Sequence, residues 1–60
     1  MNTIKIESLW YEGEYTVVYA IDWDFDVWVD YGTFKIKGKH KPEDVLAMLT
    51  HGSELLEYIG

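Results

Sequence analysis

Through residue 37 the apolar positions of this 60-residue chain recur every second residue, the signature of strands buried on one face. Ile4, Ile6 and Trp10 share one side, against Lys5 and Glu7 on the other. Beyond Glu12-Gly13 the odd positions Tyr15, Val17, Tyr19 and Ile21 are apolar. A two-residue turn at Glu12-Gly13 would pair Trp10 with Tyr15, Ile6 with Tyr19 and Ile4 with Ile21, all on one inner face. A second turn signal, Tyr31-Gly32, pairs Val29 with Phe34 and Val27 with Ile36 on that face, and sets Asp26 opposite Lys37 and Trp28 opposite Lys35. Between them, an unbroken strand over 14–30 would run about 55 Å at ~3.3 Å per residue, too long for so small a domain. A three-residue loop at 23–25 is therefore expected, with a long bent strand as the alternative.

The period then changes. Pro42 suits the first helical position, and Glu43 and Asp44 suit the positive end of the helix dipole. Val45, Met48 and Leu49 make an apolar stripe at i, i+3, i+4, and His51-Gly52 reads as the stop. Ser53 is a fair N-cap for a second short helix carrying Leu55, Leu56 and Ile59. The expected fold is thus α+β: a four-stranded antiparallel meander, or three strands with one long and bent, under one or two short C-terminal helices on one face. All 60 residues form a single small acidic domain.

Aromatic residues are 17% of the chain, and each buried ring removes roughly 150–250 Å² from water, which helps so short a sequence build a core. Trp10 is expected to anchor that core above the helix stripe. There is no Cys, so thiol chemistry and disulfides are absent. The net charge is −6, which argues against direct binding of nucleic acid or of an anionic membrane. No apolar run is long enough to span a bilayer and no leader is visible in residues 1–15, so a cytoplasmic setting is expected.

Candidate chemistry thins out on inspection. Asp22, Asp24 and Asp26 resemble the start of a calcium loop, but Val27 stands where such a loop needs Gly and Thr33 where it needs Glu. His40 lies among lysines and His51 suits a helix C-terminus, with no metal-ligand spacing between them. Ser8 and Ser53 have no nucleophile motif, and the chain leaves little volume for a substrate pocket. Neither an enzyme nor a cofactor is expected. Lys35, Lys37, Lys39 and Lys41 read as cross-strand partners of acids and as guards of an edge strand.

Two features remain. An outer sheet face of Leu9, Val18, Ala20 and Trp28, rimmed by acids, would be an uncovered apolar patch suited to self-association. In addition, seven of the eleven acids fall within residues 7–30, and carboxylates at alternate strand positions are about 6.6–7 Å apart, comparable to successive nucleic-acid phosphates. The expected function is a small acidic inhibitor occupying the basic surface of a nucleic-acid-binding protein, as in phage–host conflict, a step taken by analogy of class. Its binding residues would be Glu12, Glu14, Asp22, Trp23, Asp24, Asp26, Trp28 and Asp30. The alternative is a structural or regulatory module that forms a homodimer through the outer face.

Overall fold

The structure, a computed structural model, describes residues 3–60. Its elements are β1 (Ile4–Glu12), β2 (Tyr15–Asp24), β3 (Val27–Lys37), α1 (Pro42–His51) and β4 (Leu56–Tyr58). The strands form one open antiparallel sheet in the order β1-β2-β3-β4, and α1 packs on one face, making an α+β meander.

The fourth strand is not the one expected. Tyr31-Gly32 does not reverse the chain; β3 runs through it as a single bent strand of 11 residues. Tyr31 is instead the extra residue of a bulge, with Gly32 opposite Ala20 and Asp30 opposite Ile21. Gly32 is needed there for two reasons. Its φ is +149°, and a Cβ would lie 2.5 Å from Cε1 of Tyr58. The reversal falls at Phe25-Asp26, where both residues have positive φ, +47° and +66°, the signature of a type I′ turn. The loop is thus one residue shorter than the 23–25 expectation and sits one step later.

The second helix is absent. Ser53 accepts a hydrogen bond from the Leu55 N–H at 3.1 Å, and the Leu56 N–H reaches the Ser53 carbonyl at 3.3 Å, a local turn in place of a helical start. The chain then pairs with β3, setting Leu56 opposite Ile36 and Tyr58 opposite Phe34. A few residues cannot repay helix nucleation, whereas a ready strand edge rewards each one that pairs.

In the first hairpin the turn is Gly13-Glu14, so Glu12 faces Tyr15 and Trp10 faces Val17. Gly13, at φ +60°, occupies the first loop position, where a type II′ turn wants glycine. A bulge at Glu7 between the pairs Ile6–Ala20 and Ser8–Tyr19 brings Ile4, Ile6 and Leu9 onto one face despite their broken alternation.

These shifts bear on which face is the core. Val18, Ala20 and Ile36 are buried against Val45 and Leu49, with Ile4, Ile6, Leu9, Phe34, Met48 and Leu56 packed around them. The helix stripe is the expected one, but it covers the even positions of β2 and not Tyr15, Tyr19 and Ile21. Leu9, Val18 and Ala20 are therefore core residues, and the self-associating patch built on them does not exist. Both faces of β2 are apolar, so period 2 alone could not choose. The smaller set, Thr16, Val18 and Ala20, leaves room for a helix, and the larger amphipathic rings tolerate water.

Trp10 lies on the opposite, open face, 40% exposed, with Nε1–H donating to Glu12 Oε2 at 2.6 Å; it is not a core anchor. Val27 is 54% exposed rather than packed on Ile36, and Lys37 faces Tyr15 rather than Asp26. Thr16 is fully buried and ties down the loop before α1: its hydroxyl donates to the Gly38 carbonyl at 2.7 Å and accepts the His40 N–H at 2.9 Å. Tyr11 Oη–H donates to the His40 carbonyl at 2.8 Å.

Candidate protein-binding surface at the β2–β3 hairpin

The second hairpin is the feature that makes the molecule long, 36 Å against 19 and 16 Å in the other directions. Its end carries six of the eight residues singled out from the sequence: Asp22, Trp23, Asp24, Asp26, Trp28 and Asp30. Glu12 and Glu14 are at the other end of the sheet, about 30 Å away along β2 at ~3.3 Å per residue. Those two glutamates do not join the cluster.

Strand geometry sorts the six. Trp23 and Trp28 face each other across the ladder on the open side, their ring centroids 5.0 Å apart and their planes at 67°. Such edge-to-face pairs add about 0.5–1.5 kcal/mol beyond area burial. Asp30 is on the same side and accepts a hydrogen bond from the Tyr19 hydroxyl. This bond raises the Tyr19 phenol above its usual value near 10, helped by burial and by the Asp30 and Glu7 charges. Asp22 and Asp24 point to the other side, opposite Val29 and Val27. Asp22 accepts the Thr3 hydroxyl, and Asp24 and Asp26 flank the apex.

The apex residue itself was not singled out. Phe25 is 92% exposed and holds a left-handed backbone that disfavours every residue but glycine and, less so, asparagine or aspartate. Val27, Val29 and Tyr31 are also exposed. A readable signal was present: Trp23-Asp24-Phe25-Asp26-Val27-Trp28 places two tryptophans symmetrically about a two-residue loop. The absence of Gly or Asn from that loop hid its length and exact place, so that three residues at 23–25 were expected to turn instead of two at 25–26.

The open face is partly covered by cations. Lys5 Nζ lies 5.4 Å from the Trp28 ring centroid and Lys35 Nζ 4.3 Å from that of Tyr15. Lys35 thus serves Tyr15, not Trp28 as the expected register had it. Among the described residues no surface pocket is formed, no group of His, Asp and Glu is disposed to hold a metal, and no helix is long and apolar enough to cross a membrane.

The hairpin end thus sets large apolar groups in water beside four carboxylates. Comparison with protein-family models, with curated proteins and with solved structures found no match to this chain.

Proposed function

We propose that this protein binds a basic surface of a partner protein through the end of the β2–β3 hairpin, with Phe25 as the central anchor and Trp23 and Trp28 beside it. The observation that carries this reading is Phe25, an aromatic side chain left almost wholly in water on a strained backbone. Backbone strain of about 1–3 kcal/mol persists where the surroundings enforce it, and it collects at functional sites. An aromatic anchor supplies holding energy once desolvated, and the surrounding carboxylates supply steering and salt dependence. Asp22 and Asp24 stand on one face at the alternate-residue spacing that resembles successive phosphates. The partner that fits best is a nucleic-acid-binding protein, inhibited by occlusion of its basic surface.

Affinity capture from a cell lysate at low and high salt tests this, comparing the unaltered chain with one carrying Asp24→Lys and Asp26→Lys. Asp22 is left alone because it accepts the Thr3 hydroxyl. Support is a nucleic-acid-binding protein that is held at low salt, released by high salt and missed by the variant. Capture indifferent to both salt and reversal would refute the reading.

Self-association is the second reading, favoured by the partly exposed Trp10, Tyr15, Trp23 and Trp28 of the open face. Sedimentation at micromolar and near-millimolar concentrations separates the two.

A further inference from the structure

Beyond the side chains at its end, the hairpin offers a free backbone edge. Among the described residues β4 pairs with β3 only over Phe34–Ile36, and the last bond along that side runs from the Ile59 N–H to the Thr33 carbonyl at 2.8 Å. From Val27 to Gly32 the outer side of β3 has no neighbouring strand among the described residues. The other side of the same hairpin is closed, since β1 pairs with β2 as far as Ile4–Asp22 and the Trp23 N–H donates to the Thr3 carbonyl at 3.4 Å.

That last bond fixes which groups of β3 are free. Trp23 turns its N–H away from β3, so Trp23 and Trp28 form a pair that shares no hydrogen bond. Trp28 therefore turns its own N–H and C=O outward, and two residues on Asp30 does the same. The edge is Val27-Trp28-Val29-Asp30-Tyr31, rich in strand formers and ended by the bulge at Tyr31. It carries neither Lys nor Pro, two of the usual guards of an open edge. Lys5 approaches the Trp28 ring from the β1 side and does not block it.

We infer that this edge accepts an extended segment of the partner as an added strand, and that the segment carries cationic side chains at alternate positions. The inference rests on the basic-partner reading above and deepens it. Charge selects the occupant. Asp22, Asp24, Asp26 and Asp30 lie on both faces and at the tip of the hairpin, and residues 22–34 contain no Lys. A second copy is the poorer occupant, because antiparallel pairing about Val29 would bring two such acid sets together. Main-chain bonds then supply affinity, and the carboxylates choose a basic strand over others.

The test uses the chain made by chemical synthesis with and without N-methylation of the Trp28 amide, which keeps every side chain and removes one outward N–H. N-methylation of the Asp30 amide is the second variant, and thermal melts confirm that each chain folds. The probe is a blocked heptapeptide of alternating Lys and Val, with its Glu counterpart as control. The Lys peptide should bind, slow hydrogen exchange at the Trp28 and Asp30 amides, and bind at least tenfold more weakly to either folded N-methylated chain. Failure of the Lys peptide to bind, equal binding to the N-methylated chains, or equal binding of the Glu peptide overturns strand addition. The two ideas fail separately: charge reversal at Asp24 and Asp26 tests the basic partner, whereas N-methylation leaves all carboxylates in place and tests the edge alone.

Discussion

Trp23 and Trp28 meet edge to face at 5.0 Å on the open side of the sheet, one pair inside the Phe25-Asp26 turn. That contact holds the outer third of a hairpin whose other face carries only Asp22, Asp24, Val27 and Val29. A double-mutant cycle with Trp23→Val and Trp28→Val should give a coupling of about 0.5–1.5 kcal/mol. Additive losses would show that the rings touch without stabilising the hairpin.

The turn itself is expected to trade stability for binding. Replacing Phe25 with Asn and Asp26 with Gly supplies the residues a type I′ turn prefers and relieves two positive-φ positions. The double variant should gain about 1 kcal/mol, or roughly 4–8 °C in Tm for a domain of this size, and hold its partner less well. Calorimetry that finds no gain would mean the apex is not strained.

How much of this was legible in the sequence differs from element to element. The helix over 42–51 was, because Pro42, the acidic first turn and the Val45, Met48, Leu49 stripe all agree. Strand periodicity was also plain, but the choice of face was not. Val17 shows why: it is 2% exposed although it lies on the open side, between Trp10 and Lys35 in register. Gly32 looked like a turn residue, and its actual role, making room for the Tyr58 ring, depends on a strand that comes 24 residues later. At the hairpin end the acids and tryptophans were visible as composition. Phe25 fell inside the loop expected at 23–25, but its place at the apex was not legible, since it follows from a two-residue turn that breaks the usual residue preferences.

Thr16 joins the core to the loop before the helix. Thr16→Val keeps the shape but leaves the Gly38 carbonyl and the His40 N–H without their partner. The expected cost is about 1–3 kcal/mol, read as a lower denaturation midpoint, with faster hydrogen exchange at His40. An unchanged midpoint would place those two groups in contact with water.

Tyr19 gives a pH signature. Its phenol is raised by the Asp30 hydrogen bond, so the contact's contribution is full below the unfolded value near 10 and is lost as pH rises through the higher folded value. A phenolate absorbance titration of the five tyrosines should show one ionising late. Tyr19→Phe should remove that step and Asp30→Asn should lower it. If Tyr19→Phe removes an ordinary step instead, the Tyr19–Asp30 bond does not persist in solution.

The most direct measurement of the central claim is the dissociation rate of the captured partner from Phe25→Ser, a change at a 92% exposed position that keeps every carboxylate and both tryptophans. Dissociation should speed up by roughly tenfold or more, the ordinary loss for a central aromatic anchor, while association and its salt dependence stay as they were. A dissociation rate equal to that of the unaltered chain would contradict the account and move the binding surface away from the end of the hairpin.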